Sequence, residues 1–401
     1  MTWPQRILFL HNRYIHHGGE DVVVQREATL LRRAGHDVRV VIVDNGDINV
    51  LDRVHLVGVL RDSAWSWPSY QTIHSLCKSW MPDVVHVHNY WFLLTPSIFS
   101  AIRDTGCPVV VSLHNFRALC PAGVMMRRGK PCEECVGRSP WRGIAHRCYH
   151  DSAFASALVA RMSLTAKRRG VWQCGVDRYL TPSQWARNVY IRGGFPEGLV
   201  AVHSHHVVEQ AKSEAPRTPS SVVFVGRVSE EKGVQVLIDA WKQLRDRRSI
   251  ELILVGDGPL LAPLRLDTNL TQFGIRLRGH LGRKEVSDQI ARSIALVQPS
   301  LCQETFGLSI LEAFNQGKPV IASEIGALPE LVQDGITGIL APPGDPQELS
   351  QRLQFLIDNR AHAREMGGRA QQLCNEDFGA NDAYTRVLGH YRQAQSQMRR
   401  G

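Results

Sequence analysis

Short apolar runs alternate along the chain with longer segments in which apolar residues recur every three or four positions. Runs of four to six residues are typical of strands buried on both faces of a parallel sheet, and the longer segments have helical spacing. The first half contains such runs at 7–10, 38–43, 83–88, 108–113 and 179–183, with helical patterns at 21–34 and 185–192. It therefore predicts a βα-repeating domain in which 179–183 is the last strand.

The second half starts the same alternation again. Its apolar runs lie at 222–225, 252–255, 275–278, 294–297, 320–322 and 336–340. Between the halves, the histidines at 203–206 and the polar stretch to 220 favour a hinge loop over a metal site. We predict an α/β protein with two Rossmann-like domains, 1–200 and 201–375, that face each other across a cleft. The terminal helix, 376–401, is expected to pack back on the first domain.

Composition narrows the possible partners. Hydrophobic residues make up 43% and charged residues 21% of the chain, which is ordinary for a soluble globular protein. No apolar run reaches eighteen residues and the first is too short for a signal peptide, so we expect a cytoplasmic protein. The net charge of +9 suits a nucleotide-sugar, an anionic membrane or a nucleic acid. No nucleic-acid-binding module is recognisable, so no nucleic-acid partner is expected.

A basic amphipathic segment at 154–172 could bind an anionic membrane. It combines Arg161, Lys167, Arg168 and Arg169 with apolar residues at helical spacing. Such a helix can lie on an anionic membrane surface, which would place the protein peripherally on the inner face of the membrane. A surface helix with a solvated charged end explains the pattern equally well.

Four cysteines lie in an insertion at about 117–150: Cys120, Cys132, Cys135 and Cys148. A Cys-x-x-Cys centre with two outer cysteines resembles a four-thiolate zinc site, which would order a loop poor in core residues. Such a zinc ion would be structural, because four thiolates leave no open position. Four reduced thiols are the alternative, and an iron–sulfur cluster fits only the ligand count. The nine cysteines of the whole chain do not suggest a disulfide framework.

Two sites in the first half follow predicted strands directly. Gly18 and Gly19 come after the first strand and before a helix, where missing side chains let backbone approach a ligand. A tight turn would also use two glycines. His114 follows the 108–113 strand, and ligands of doubly wound sheets bind at such carboxyl ends. His114 is therefore a candidate site residue.

The second half places charged residues around two strand ends. Arg227 and Lys232 lie in the loop after 222–225, and both suit the phosphates of a diphosphate. Glu304 and Glu312 bracket a turn at 305–307, after which a helix is expected to start near Leu308. The N–H groups of a helix start also suit phosphate. Each residue alone could be a solvated surface charge, but together they indicate a diphosphate site.

Several stretches together carry a family resemblance: Gly18-Gly19, Ser112-Leu-His114, 224–233, Gly256-Asp-Gly-Pro259 and Glu304-Thr-Phe-Gly-Leu-Ser-Ile-Leu-Glu312. With these motifs the chain resembles a retaining GT-B glycosyltransferase of family 4, whose Glu-x7-Glu element is matched by Glu304 and Glu312. Two features depart from that pattern. The Pro-Asn-Gly turn of many relatives is replaced at 202–206, and the cysteine insertion has no counterpart in most of them.

The resemblance implies roles for the candidate residues. Arg227 and Lys232 would bind the donor diphosphate together with the backbone N–H groups of Phe306, Gly307 and Leu308. Glu304 would contact the transferred sugar and Glu312 the ribose, while His114 would contact the sugar or the reacting centre. Gly18 and Gly19 would form the loop that lies against the diphosphate and the acceptor. The base pocket would be formed by Gly256, His280 and Leu281.

The activity implied by the resemblance is transfer of a sugar, with retention, from a nucleotide-diphosphate sugar to a hydroxyl of a glycan or glycolipid. No metal is expected for catalysis, because Arg227 and Lys232 supply the positive charge. Assembly of a bacterial polysaccharide is the context we expect. A sugar-nucleotide epimerase, a phosphorylase or a non-catalytic subunit of the same fold remains an alternative.

Overall fold

The structure, a computed structural model, describes residues 3–14, 18–44, 63–207 and 219–398. These residues divide into two compact units. The first comprises Met1–Met125, Glu133–His205 and Asn381–Gly401, and the second Met126–Cys132 and His206–Ala380. The main boundary thus lies within the segment predicted as a hinge, of which residues 208–218 lie outside the described part.

The first unit is built on a parallel sheet of six strands in the order β2-β1-β3-β4-β7-β8. Its strands are β1 (Arg6–Arg13), β2 (Asp37–Asp44), β3 (Val84–Asn89), β4 (Val109–Ser112), β7 (Arg178–Thr181) and β8 (Val200–Val202). Its helices are Gly19–Arg33, Trp67–Trp80, Ser97–Arg103, Trp141–Ala145, Ala153–Arg168, Gln184–Arg192 and Ala380–Met398, the last of which begins at the unit boundary.

Strand β3 shows how this sheet is buried, since all six of its residues are inaccessible. Alternate side chains of a strand point to opposite faces. Val85 and Val87 accordingly join one apolar cluster of the unit, and Val84 joins the other. His86 and His88 share the face of Val84, which is the face covered by the helix Gly19–Arg33 and by Tyr391 of the C-terminal helix. The core of this unit therefore contains buried polar groups at its centre.

The second unit repeats the architecture with a parallel sheet in the order β11-β10-β9-β12-β13-β14. Its strands are β9 (Ser221–Val225), β10 (Glu251–Val255), β11 (Ile275–Gly279), β12 (Ser293–Gln298), β13 (Val320–Ser323) and β14 (Gly338–Ala341). Its helices are Val234–Lys242, Leu261–Leu266, Arg283–Ala291, Leu308–Asn315, Leu328–Leu331, Pro346–Asp358 and Arg360–Asp377. The prediction of two Rossmann-like α/β domains is confirmed.

Some elements differ from the prediction. Strand β8 follows 179–183, so that segment is not the last strand of its sheet. A three-residue Val-Ala-Val strand at the sheet edge is too short to show periodicity. The sequence also gave no signal for the hairpin of β5 (Met126–Arg127) and β6 (Lys130–Pro131), or for the helix Arg283–Ala291, whose exposed face is highly polar.

The basic amphipathic segment forms the helix Ala153–Arg168, shorter than the predicted 154–172. Val159 and Met162 on one side are buried in the core, while the lysine and arginine residues on the other side are exposed. Phe154 at its start is also largely exposed. Within the described residues, no helix combines the length and hydropathy that crossing a bilayer requires.

Candidate active site

In the second unit, the loop after β9, which carries Lys232, packs against the loop after β12. Lys232 ends a single 3-10 turn after β9, and Gly233 follows in the left-handed conformation with φ of 69°. A Cβ at Gly233 would lie 1.8 Å from the carbonyl oxygen of Pro299, so only glycine fits there. The N–H of Leu301 also donates to the carbonyl of Glu231, at 2.9 Å. The turn that carries Lys232 is therefore fixed against the loop after β12.

Lys232 and Glu304 form an ion pair where these loops meet. The Lys232 Nζ lies 2.6 Å from the Glu304 Oε1. The same oxygen accepts hydrogen bonds from Ser300 Oγ at 2.6 Å and from Gln298 Nε2 at 3.3 Å. Both partners of the pair are mostly buried, with 24% and 11% of their side chains exposed. The carboxylate is thus held by three donors in one position.

The backbone of Glu304 is held from a third strand end. Gly326, in the loop after β13, has φ of 59°, and a Cβ on it would lie 2.6 Å from both the N and the O of Glu304. The N–H of Ala327 donates to the carbonyl of Glu304 at 3.0 Å. Three loops, after β9, β12 and β13, therefore determine where Glu304 lies.

Lys232 keeps its positive charge at neutral pH. Burial by itself lowers the pKa of a lysine, but the carboxylates of Glu304 and Glu231 and the hydrogen bond to Glu304 outweigh that effect. The net result is a pKa of Lys232 above its ordinary value. The site therefore presents a permanent cation to an incoming anion.

Arg227 lies in the same loop as Lys232 but is more exposed. Half of its side chain is accessible, and its Nη1 lies 3.9 Å from the Oε1 of Glu231. Its loop is braced by the loop after β10, because a Cβ at Gly256 would lie 1.8 Å from the carbonyl oxygen of Gly226. Arg227 can therefore swing its guanidinium while its backbone stays fixed.

Of the residues predicted for the base pocket, Gly256 has a structural reason to be glycine, since its φ is 137° and it packs on Gly226. His280 is exposed in the loop after β11. Leu281 is half-buried against one apolar cluster of the unit. The three residues lie in loops that follow the adjacent parallel strands β10 and β11, so they lie at the carboxyl end of the sheet.

The helix Leu308–Asn315 begins next to the ion pair. Gly307 is its N-cap residue, and among the described residues no side chain caps this helix start. Phe306 is buried, and a Cβ at Gly307 would lie 2.7 Å from Ile310 Cδ1. A helix start without a capping side chain leaves N–H groups and a partial positive charge for an anion. Glu312 lies one turn further along and is half-buried.

Sequence reasoning missed the side chains that link the helix to the ion pair. Ser309 Oγ donates to Gln298 Oε1 at 2.8 Å, and Gln298 Nε2 contacts both Ser300 Oγ and Glu304 Oε1. Gln298 is the polar last residue of the otherwise apolar strand β12, which was the available signal. The network connects the helix start, the carboxylate of Glu304 and Lys232 into one unit.

In the first unit, His114 follows β4 as predicted and lies in a group of histidines. Its Nε2 is 3.1 Å from His88 Nδ1, and its ring stacks on His88 at 5.4 Å and on His205 at 5.6 Å. Burial lowers the pKa of His114 to about 3. His114 is therefore neutral near pH 7, when it can act as a hydrogen-bond donor at one nitrogen and an acceptor at the other.

Gly18 and Gly19 lie at the start of the helix Gly19–Arg33 and are exposed. Gly18 has φ of −139°, which any residue adopts, and among the described residues a Cβ on it would meet nothing within 4 Å. The described part of the first unit therefore places no steric requirement for glycine at Gly18. The neighbouring Glu20 accepts a hydrogen bond from Asn115, the residue after His114, and burial raises the pKa of Glu20.

The stability of the first unit is predicted to fall on acidification. Burial lowers the pKa of His86 to about 4 and that of His114 to about 3, whereas a free histidine has a pKa of about 6.5. Between these values the unfolded chain binds protons that the folded chain does not, so stability is complete above about pH 6.5 and is lost below it. For His86 the slope approaches about 1.4 kcal/mol per pH unit. Denaturant titrations at pH 7.5, 6.5 and 5.5 measure this, and a constant midpoint would contradict it.

The four cysteines of the insertion are all half-buried, and within the described residues no cysteine forms a disulfide. The backbone turns at Cys120, whose N–H donates to Phe116, and at Cys148, whose N–H donates to Gly143. The structural zinc site stays a prediction.

We expect protein purified without added metal to contain about one zinc per chain, because four thiolates fill a tetrahedral zinc site. Cys135→Ser should lower the zinc content several-fold in elemental analysis. Cys174→Ser is the matched control, since Cys174 is exposed and lies outside the predicted set. Freshly prepared protein with neither zinc nor iron would rule the site out.

Two six-stranded parallel sheets with candidate ligand groups at the carboxyl ends of their strands are the architecture that the resemblance to GT-B glycosyltransferases predicts. Comparison with known proteins agrees. The model described as Glycosyltransferase Family 4 matches residues 17–207, and the model described as Glycosyl transferases group 1 matches residues 219–359. The chain belongs to the family 4 glycosyltransferases of the GT-B fold.

The individual relatives share only 26–30% of their residues with this chain, and the solved structure shares 19%. The chain is 26% identical over 374 residues to sulfoquinovosyl transferase SQD2 of Arabidopsis thaliana, covering 89% of this chain and 67% of that protein. It is 30% identical over 313 residues to glycogen synthase of Mycobacterium tuberculosis, covering 75% of this chain and 66% of the relative. The structure of Anabaena Alr3699/HepE in complex with UDP-glucose has a TM-score of 0.65 and 19% identity, with 96% and 98% of the two chains covered. At that identity the structural likeness shows the fold alone.

Proposed function

We propose that this protein transfers a sugar, with retention of anomeric configuration, from a nucleoside-diphosphate sugar to a hydroxyl of a glycan or glycolipid. One observation carries the proposal: the buried Lys232–Glu304 pair lies beside a helix start that no described side chain caps. A cation and backbone N–H groups suit a diphosphate, and a carboxylate suits sugar hydroxyls.

The donor's identity as a nucleotide is supported by family membership and by Glu312, which the resemblance assigns to the ribose. The solved HepE structure contains UDP-glucose by its title. We extend that donor chemistry to this chain as part of the proposal. The base and the sugar are to be found by experiment.

The proposed mechanism breaks the bond between the anomeric carbon and the diphosphate oxygen and forms the acceptor bond on the same face of the sugar. The departing diphosphate oxygen takes the proton of the acceptor hydroxyl. Lys232 and Arg227 stabilise the negative charge that develops on the diphosphate, and the first turn of the helix Leu308–Asn315 adds its dipole. Glu304 orients the sugar, and His114 contacts the sugar or the reacting centre. No metal is assigned to these steps.

The acceptor is proposed to be a growing glycan or a glycolipid. Two relatives bear on this: one is named for sulfoquinovosyl transfer and the other for glycogen synthesis. The exposed basic side of the helix Ala153–Arg168, with Phe154 at its start, suits an anionic membrane that carries a lipid-linked acceptor. Polysaccharide assembly at the inner face of a membrane is the context we propose.

The test begins with a thermal-shift screen of nucleoside diphosphates, because ligand binding raises the melting temperature of the folded state. The sugar-nucleotides of each stabilising base are then incubated with and without glycan and lipid-linked acceptors. Mass spectrometry should detect a product whose formation needs the acceptor, and proton NMR should show the donor's anomeric configuration in that product.

Each alternative has its own result in the same experiment. Release or rearrangement of the sugar without any acceptor would contradict the proposal and favour an epimerase or a phosphorylase. Binding of nucleotide without turnover across the donor and acceptor panels would favour a non-catalytic subunit. An inverted product would preserve transfer but contradict the proposed mechanism.

A further inference from the structure

A buried carboxylate lies at the centre of the histidine group in the first unit. Glu27, on the helix Gly19–Arg33, has only 4% of its surface exposed. Its Oε1 is 3.3 Å from His203 Nε2, and its Oε2 is 3.6 Å from His88 Nε2 and 3.9 Å from His86 Nδ1. The sequence places these residues in a helix, a strand and the predicted hinge, so linear spacing gave no signal for the cluster.

His88 connects this carboxylate to the candidate site residue His114. Its Nε2 faces Glu27 and its Nδ1 lies 3.1 Å from His114 Nε2. Within the described part of the chain, Glu27 Oε2 and His88 Nε2 make no hydrogen bond, and at 3.6 Å from each other they interact electrostatically. Both atoms are buried, and Glu27 Oε2 lies closer to His88 Nε2 than to His86 Nδ1, so the charge of the carboxylate acts most strongly on the His88 nitrogen.

The charge states of the two residues follow from their surroundings. Burial raises the pKa of a carboxyl group, but the hydrogen bond from His203 and the nearby imidazoles hold the pKa of Glu27 well below its ordinary value. Burial holds the pKa of His88 well below that of a free histidine. At neutral pH, Glu27 is an anion and His88 is a neutral imidazole.

A neutral imidazole carries a proton on one nitrogen and a lone pair on the other. With its proton on Nε2, His88 directs a positive dipole at the Glu27 carboxylate. With its proton on Nδ1, it would direct a lone pair at that carboxylate, which is repulsive in a buried site. Nε2 therefore carries the proton, and Nδ1 must accept the hydrogen bond from His114 Nε2.

We propose that Glu27, acting through His88, holds His114 in the tautomer that is protonated at Nε2. The Nδ1 of His114 is then the nitrogen that bears the lone pair and acts as a hydrogen-bond acceptor. Glu27 and His88 are positioning residues in this arrangement. Its effect on turnover rests on the proposed function, whereas the tautomer itself does not.

A metal ion is the competing explanation, because ligand atoms of Glu27, His86 and His88 lie within 4.8 Å of one another. His86 argues against it. Its Nδ1 lies 2.9 Å from the hydroxyl of Tyr391, and its Nε2 lies 2.8 Å from Ser112 Oγ. Both nitrogens of His86 thus already have hydrogen-bond partners, and a metal would have to displace Tyr391.

Long-range proton–nitrogen NMR on protein with ¹⁵N-labelled histidine reports the tautomer of each ring directly. His114→Gln identifies the signals of His114 among those of the 17 histidines. In the wild-type protein we expect a protonated Nε2 and an unprotonated Nδ1 for His114. In Glu27→Gln, the amide can donate or accept, so both tautomers of His114 should appear. Glu197→Gln, which neutralises an exposed carboxylate of the same unit, should leave the spectrum unchanged.

The kinetic counterpart separates positioning from donor binding. Glu27→Gln should lower kcat by about ten- to a hundredfold, because a His114 of mixed tautomer positions the reacting groups less well, with KM for the donor unchanged. Absence of turnover in the wild-type protein would count against the proposed function, while the spectrum would still decide the tautomer. A His114 protonated at Nδ1 in the wild-type protein would overturn the inference, even if Glu27→Gln failed to fold. Stoichiometric metal lost in Glu27→Gln would also overturn it.

Discussion

Replacing Lys232 by alanine is expected to lower kcat/KM for sugar transfer by about 10²–10³-fold, because it removes a preorganised charge worth about 3–4 kcal/mol to a transition state that develops negative charge. The fold should survive the change. Ser300 and Gln298 still donate to Glu304 Oε1, so the carboxylate remains hydrogen-bonded. We expect a stability loss of about 1–3 kcal/mol from the lost ion pair. Steady-state kinetics and denaturant unfolding on the same preparation measure both quantities.

Lys284→Ala is the matched control for Lys232→Ala. Lys284 also pairs with a carboxylate, that of Asp288 at 2.8 Å, but 88% of its side chain is exposed. An exposed pair of this kind contributes little to stability, about 0.3–0.5 kcal/mol. Activity of Lys232→Ala equal to that of Lys284→Ala would contradict the assignment of the donor site.

Gly233→Ala is expected to have the largest effect on stability, a loss of about 2–5 kcal/mol in the free energy of unfolding. A left-handed backbone costs a non-glycine residue about 1–2 kcal/mol. The clash with the Pro299 carbonyl, 1.8 Å from the new Cβ, adds about 1–3 kcal/mol because the backbone must move. Movement of this loop also carries Lys232 away from Glu304, so transfer activity should fall in the fraction that folds.

Gly335→Ala is the matched control, because it carries the conformational cost without a steric clash. The difference between the two variants therefore measures the steric part. Gly335 has φ of 71°, close to the 69° of Gly233, but among the described residues its Cβ would meet nothing within 4 Å. It should lose only the conformational cost of about 1–2 kcal/mol and keep full activity. Equal losses in urea titrations of the two variants would show that the contact with Pro299 does not hold the loop.

Much of the fold followed from the sequence, because buried parallel strands leave a plain apolar signal. Strand β12, 294–297 in the prediction and Ser293–Gln298 in the structure, is one such case. The three-residue strand β8 carried no such signal. The polar helix Arg283–Ala291 was also missed, since its helical character depends more on packing than on a strong apolar stripe.

The candidate site was predictable as a set of residues but not as a set of contacts. Lys232 and Glu304 lie at strand ends and match the family motif, which made each a candidate. That they pair depends on β9 and β12 being neighbours in the sheet, since the two residues are 72 positions apart. The roles of Gly233 and Gly326 as close backbone contacts likewise needed the third dimension.

The contacts of the histidines in the first unit were even less predictable from the sequence. The pattern at 83–88 predicts a buried strand but indicates no role for the two histidines within it. Their partner Glu27 belongs to a helix, and His203 belongs to the segment predicted as a hinge loop. His203 is in fact buried and bonded to Glu27, because β8 extends the sheet and carries it inward.

The most direct test of the donor site is a crystal structure of the protein with the nucleoside diphosphate that stabilises it most. We expect the phosphate oxygens within hydrogen-bonding distance of Lys232 Nζ and of the backbone N–H groups of Gly307 and Leu308, with the ribose hydroxyls at Glu312. A diphosphate bound elsewhere in the protein, with the Lys232–Glu304 pair unchanged, would contradict the account.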